Sequence, residues 1–280
     1  MAIEAGQCEV ALVTLADNPR TGTRQAYEKA WGDDAVFGWF SVVASYAMIA
    51  QRHMHDHGTT PDMLAAIAVA IREHGARNPD AQLRAPLSRE EYFKSPWVVE
   101  PLRRADCCLI SDGAAAVVVM SAKRATEKQV RAPVPILGFG QGNSSSDVAL
   151  RPDLTETKAD VSAATAYKMA GLGPRDIDVA QIYDCFTITA LMTLEAYGLA
   201  PRGKSKHLFE PGGFGVGGPL PLNTSGGLLA ETGMPGLQLV LEGVRQMRGT
   251  SSNQVKSAKT CIVSNQGGIM HTHSTLILGQ

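Results

Sequence analysis

"PLRRADCCLISDGAAAVVVMSAKRA", residues 101–125, is the stretch whose reading decides the fold. A Ser-Asp-Gly turn interrupts it, and the small and β-branched run beside that turn has the composition of a strand. Working toward the N-terminus, "CEVALVTL" (8–15) is a short continuous apolar run, expected to be a buried strand, and "DNPRTG" breaks it with turn chemistry. Between these strands lie two amphipathic stretches with helical spacing, "VFGWFSVVASYAMIAQRHMHDHG" (36–58) and "TPDMLAAIAVAIREHGA" (60–76). The second opens on a Thr-Pro-Asp start signal. Residues 75–105 are rich in Pro, Arg and Ser and are expected to form a surface excursion.

Toward the C-terminus, "PVPILGFGQG" (133–142) reads as a strand opening a second unit, followed by a helix near 159–171. "GLGPRDIDVAQIYDCF" gives a loop and a strand that lead into another helix. The glycine-rich "EPGGFGVGGPLPLNTSGG" precedes a helix around 227–247, and "KTCIVSN" and "STLILG" close the chain as an antiparallel pair. Strand and helix alternate throughout. The expected class is α/β, with helices layered on a mostly parallel sheet that carries an antiparallel edge.

The 280 residues can bury a substantial core, and 44% hydrophobic against 19% charged residues is a globular balance. A net charge of −1 gives no electrostatic case for nucleic acid or an anionic membrane as partner. No apolar run reaches the roughly 18 residues of a membrane span. The N-terminus lacks a basic segment and cleavage site, so no signal peptide is expected. Cys8, Cys107, Cys108, Cys185 and Cys261 are odd in number and irregular in spacing, which favours a reduced, cytoplasmic protein over a disulfide framework.

Neither "GFGQG" nor "GGFGVGG" gives the dinucleotide fingerprint, so their glycines are read as sites of close backbone approach. In "RHMHDHG", His53 and His57 share a helix face and His55 does not. Without a third ligand or H-E-x-x-H they read as a solvated helix end, with no metal expected. His271 and His273 follow Gly267 and Gly268 at a tight turn into the last strand. Imidazoles there are either general acid–base candidates or packing.

Three segments then coincide in order. Residues 101–125 resemble the Cys-Cys-x-x-Ser-Asp-Gly-Ala-Ala-Ala segment of the thiolase superfamily, particularly its sterol-carrier-protein branch. "YDCFT" (183–187) sits where that branch carries His-Asp-Cys-Phe, and "PLNTSGGLL" (221–229) where it carries an Asn-Pro-Ser-Gly-Gly-type turn. The resemblance implies a layered αβαβα sandwich of two related halves, usually dimeric. Residues 1–130 would be the remainder of an incomplete N-terminal half, with a helical and loop excursion over about 20–105, and 131–280 the C-terminal half. By the same resemblance, the nucleophilic cysteine and its strands would lie upstream of Met1, and Cys8 is not its replacement. Such a half-sheet would expose apolar faces and an unpaired edge.

Two departures from the family shape the functional reading. Thr232, Gly233 and Met234 stand where family thiolases carry the Gly-His-Pro histidine that activates the nucleophile, and the late catalytic cysteine is absent from "SNQGGIMHTHS". Thiolysis needs a thiolate and a base. The resemblance implies that the region still binds a coenzyme A thioester as substrate, with no covalently bound cofactor, and oxyanion stabilisation of that kind suits an enolate. Tyr183 stands where the family's histidine would be. A phenol, which titrates near about 10, can pass a proton to an enolate or take one from a β-hydroxyl. The pattern is similar to thiolase-like aldolases that cleave steroid side-chain β-hydroxyacyl-CoA thioesters alongside a DUF35-type OB-fold partner.

The expected catalytic set is Tyr183, His271 and His273, with Asp184 holding the N-terminus of the following helix. Asn223, Ser225, Gly226, Cys185 and Gly268 are expected to shape the substrate site, Cys185 chiefly by packing, and residues 50–100 to meet coenzyme A. An acyltransferase with its cysteine upstream and a non-catalytic acyl-CoA or lipid-binding subunit are the alternatives.

Overall fold

The computed structural model describes residues 2–22, 36, 41–145, 148, 150–234 and 236–280. The first two helices start where their caps dictate. In α1 (Val42–His57), the Ser41 side chain accepts from the Ala44 N–H at 3.2 Å, and Gly58 closes the helix in the left-handed region at φ 70°. In α2 (Pro61–Arg77), Thr60 caps and Pro61 takes the first turn, where its missing N–H costs nothing. The start expected at residue 36 reaches into 37–40, outside the described residues. The 75–105 excursion is more ordered than its composition suggests. Ser88 and Glu91 form a capping box on α3 (Arg89–Lys94), and β2 (Trp97–Val99) and β3 (Leu102–Arg103) make a hairpin. Asp106, fully buried behind it, accepts from Tyr92 at 2.7 Å and Thr187 at 2.6 Å, which fastens the excursion to the core.

The segment 101–125 delivers β4 (Gly113–Met120) and α4 (Ala122–Glu127). β4 pairs antiparallel with β1 (Val10–Asp17), from Val10 opposite Met120 to Asp17 opposite Gly113. The strand at 8–15 is therefore present but not buried: Leu12 is 66% exposed, and Val10, Val13 and Val118 are also open. This two-stranded ribbon has no third strand among the described residues, and apolar side chains lie bare on it.

The second sheet runs β5 (Ile136–Asn143), β8 (Thr272–Gly279), β7 (Thr260–Gly267), β6 (Val179–Gln181). Only β6 and β7 are parallel, so among the described strands the sheet is not mostly parallel as expected. The closing strands β7 and β8 do pair antiparallel. α5 (Ala159–Ala170) lies on one face, and α6 (Thr187–Ala196) reaches that face through the Tyr197 hydroxyl on Thr275. α7 (Leu237–Arg248) lies on the other face against Cys261, Val263 and Leu278, and also meets β4. The alternate glycines of "GFGQG" serve close approach: a Cβ on Gly138, Gly140 or Gly142 would meet the carbonyl oxygens of Ala166, Ser162 or Lys158 at 2.2, 2.0 and 2.1 Å. Without side chains there, α5 lies directly on the strand.

The helix expected around 227–247 is two elements, a π-type turn at Gly227–Glu231 and then α7. No described helix is long and apolar enough to cross a membrane.

Candidate active site

β6 and β7 run parallel, Gln181 at the end of β6 lying opposite Val263 while β7 continues to Gly267, and open α/β sheets place ligands beyond the carboxyl ends of such strands. β6 runs into Ile182, Tyr183, Asp184, Cys185 and Phe186 before α6; β7 runs into Gln266, Gly267 and Gly268 before the turn to β8. The turn 223–231 packs against the end of β6, through Asn223 on Ala180 and Ile182 and through Leu228 on Asp184.

Asp184 is fully buried and explains the shape of that turn. Its carboxylate accepts from the Leu228 N–H at 2.9 Å and the Leu229 N–H at 3.2 Å. It holds a helical N-terminus, as the sequence suggested, but of the turn 227–231 rather than of α6. α6 instead starts on Thr189, whose hydroxyl takes the Phe186 N–H, and on Thr187 bound to Asp106. Gly227 is required here: at φ 51°, a Cβ would lie 2.4 Å from the Asp184 Oδ2.

Asn223, also at positive φ, donates to the Ile182 carbonyl at 2.8 Å and accepts the Ile182 N–H at 2.6 Å, locking the turn to the end of β6. Ser225 donates to Glu231, and Gly226 abuts Gly75. All three are buried, so they build the floor and expose no side-chain polar atom.

Tyr183 differs from its neighbours in being only half-buried, with its N–H on Ser264 at 2.9 Å. Cys185 beside it packs at 9% exposure, with the Gln266 Nε2 at 3.2 Å, and burial pushes its thiol up to about 12. Cys107 is pushed up to about 12 by burial as well, and Cys108 well above its ordinary value. These thiols stay protonated near neutral pH and are poor nucleophiles.

His271 and His273 part company. His271 is half-buried with its ring over Gly268, and desolvation with the nearby Arg151 charge keeps it below the usual histidine range. His273 is 1% exposed and held to about 4, chiefly by burial, with Nε2 on the Met270 carbonyl at 3.2 Å. Both rings are held toward the neutral form, and of the two only His271 is partly exposed. Met234, one of the three residues expected in the neighbourhood of the family's histidine, is buried against Gly113. Far from here, His53 is no solvated helix end: fully buried, it lies between Thr59 at 2.7 Å and Glu195 at 3.0 Å. His55 is exposed. Among the described residues no cluster could hold a metal.

The sequence reading missed Tyr46 and Gln266. Tyr46, on α1 and 1% exposed, stacks on Phe186 at 4.4 Å and donates to the Gly268 carbonyl at 2.9 Å. An aromatic within an amphipathic helix reads as core, and nothing local marks it otherwise.

Burial also raises two carboxyls of the floor, Asp184 from 3.8 and Glu231 from 4.5, each to about 7. A group whose folded value lies above its unfolded one stabilises the fold below the unfolded value and loses that contribution as pH rises through the folded one. The depressed histidines act oppositely, so a difference between variants isolates the effect. Glu231→Gln, which keeps an acceptor for Ser225, gains stability relative to the parent between pH 5 and pH 8, by on the order of 2 kcal/mol. A pH-independent difference in melting scans would show that Glu231 does not hold its proton.

Comparison with known proteins gives a consistent picture. Residues 140–280 match the family model "Thiolase C-terminal domain-like". The chain is 37% identical over its whole length to the 17-hydroxy-3-oxo-4-pregnene-20-carboxyl-CoA lyase of Mycobacterium tuberculosis, covering 76% of that protein. It is 35% identical to the steroid side-chain-cleaving aldolase of Thermomonospora curvata, again over its whole length and 75% of the relative. In structure it superposes on the "Ltp2-ChsH2(DUF35) aldolase" with a TM-score of 0.89 at 34% identity, covering 99% of this chain and 74% of the other.

Proposed function

Because this chain belongs to the thiolase superfamily, on the branch that holds the steroid side-chain-cleaving aldolases, we propose that it is a C–C lyase cleaving a β-hydroxyacyl-CoA by retro-aldol chemistry. The observation that carries this reading is a half-buried phenol, Tyr183, at the carboxyl end of β6 among thiols that burial keeps protonated. Sulfur attack has no activated thiol among the described residues, whereas proton transfer has a partly accessible phenol.

In the proposed step, the phenolic oxygen of Tyr183 takes the β-hydroxyl proton, and the new C=O forms as the Cα–Cβ bond breaks. The bonding pair passes into the thioester enolate, and Tyr183 gives its own O–H proton to Cα, refilled by the one it receives from the β-hydroxyl. Products are a ketone and a shorter acyl-CoA, with no oxidant or net proton required. His271, neutral and half-buried, supplies an N–H to the enolate oxygen. His273 is sealed in β8 and supports the turn.

The test uses 17-hydroxy-3-oxo-4-pregnene-20-carboxyl-CoA, the compound in one relative's name, with the chain alone and with a DUF35-domain partner. A 17-ketone and propionyl-CoA are expected. Product that forms only when free coenzyme A is added would mark thiolysis and overturn the reading.

The partner, a DUF35-domain protein, is part of the same proposal, supported by the solved aldolase whose title joins the two. So is a homodimer, supported by the bare apolar ribbon of β1 and β4. Charging that ribbon with Leu12→Lys and Val118→Lys converts dimer to monomer in light scattering; a dimer that survives both would move the interface elsewhere.

A further inference from the structure

Tyr46 is a buried titratable group that the proposed chemistry does not use. Tyr46 reaches from α1 into the point where β6, β7 and the β7–β8 turn converge. Its hydroxyl donates to the Gly268 carbonyl at 2.9 Å, its oxygen receives the Gln266 Nε2 at 3.2 Å, and it also lies against the Cys185 thiol. The same Gln266 nitrogen lies 3.2 Å from the Cys185 Sγ. The Tyr46 ring stacks on Phe186 at 4.4 Å, and its hydroxyl is close enough to Tyr183 for the two phenols to interact electrostatically. One side chain thus bridges the corner that carries Tyr183 and the turn that carries His271. Gly268 sits in the left-handed region at φ 58°, and His271 folds back over it, so the placement of that glycine sets the imidazole.

We propose that Tyr46 is a positioning residue for the lyase reaction above, its buried hydroxyl clamping the Gly267–His271 turn against the Tyr183–Cys185 corner. The inference rests on that functional reading for its catalytic consequence but not for the clamp itself. Burial holds the Tyr46 hydroxyl well above the ordinary tyrosine range, so it remains a neutral donor across the working pH and is no second base. With its proton on a backbone carbonyl, it acts through the geometry of Tyr183 and His271 and not on substrate.

The test compares Tyr46→Phe and Gln266→Leu, singly and together, in the full chain with its DUF35-domain partner. Tyr46→Phe retains the ring and its stacking and removes only the hydroxyl. It is expected to lower kcat about 10- to 100-fold with KM within about twofold, a split that general loss of folded protein does not produce. The double variant should lose no more than the worse single one, because both residues act through one hydrogen-bonded chain. Hydrogen–deuterium exchange gives the second readout: amides of 267–271 should exchange at least tenfold faster in Tyr46→Phe, with α5 and α7 unchanged. Unaltered kcat, additive losses or unaltered exchange at 267–271 would each overturn the clamp. If the parent shows no lyase turnover, the reaction assignment fails, and the exchange measurement decides the clamp alone.

Discussion

Replacing Tyr183 by phenylalanine lowers kcat/KM for retro-aldol cleavage by about 10³-fold, within the range that loss of one general acid–base group commands. Most of the fall lies in kcat, because the hydroxyl meets the substrate proton only as the bond breaks, while the ring and its packing remain. The variant should fold as the parent does. The backbone of Tyr183 is held by Ser264 and Thr189, neither of which involves the phenolic oxygen. Its melting temperature is therefore the control, and steady-state release of propionyl-CoA is the measurement. Turnover within twofold of the parent would remove Tyr183 from the chemistry. A proportional rise in KM at unchanged kcat would recast it as a binding residue.

Much of this arrangement was legible in local sequence, and the remainder fails for identifiable physical reasons. Caps are local, so the Thr60-Pro61-Asp62 start of α2 could be read directly, and the S-x-x-E of Ser88 and Glu91 could have revealed α3 inside the supposed loop. The spacing of Gly138, Gly140 and Gly142 signalled close approach, though not that α5 would be what approached. Burial is not local. The run at 10–17 has core composition, yet whether it is covered depends on strands that pairing brings from elsewhere, and in this structure Leu12 stands open. Partnership between distant residues is equally invisible. His53 looks like any helix-end histidine until Glu195 arrives across the core, and Tyr46 looks like packing until Gly268 and Gln266 do. The site was readable as a set of motifs, but its floor and its walls were not distinguishable, because both carry the same polar residue types. Asn223 and Ser225 belong to the floor and Tyr183 to the wall, a division that only burial reveals.

Asp184→Ala is expected to cost about 3–5 kcal/mol of stability, from which the fold as a whole has only about 5–15 to give. The carboxylate satisfies two buried backbone donors, the N–H groups of Leu228 and Leu229, and stands against the Asn223 amide. Alanine leaves these donors without a partner in a region closed to water, at about 1–3 kcal/mol for each orphaned group. The space it vacates lies directly over Gly227, whose conformation at φ 51° exists to accommodate the carboxylate. Melting temperature should fall by about 10 °C at this chain length, and activity with it, since Asn223 and Ile182 carry the disturbance to the base of Tyr183. Asp184→Asn separates the two contributions. Its carbonyl can still accept one N–H, but its amide group turns donors toward a donor, so the loss should be intermediate and should not diminish as pH falls. Gly227→Ala should mimic Asp184→Ala by displacing the carboxylate from the other side. If Asp184→Ala melts within about 2 °C of the parent, the turn 223–231 does not depend on this carboxylate, and the site's floor must be held by the Asn223–Ile182 and Ser225–Glu231 pairs alone.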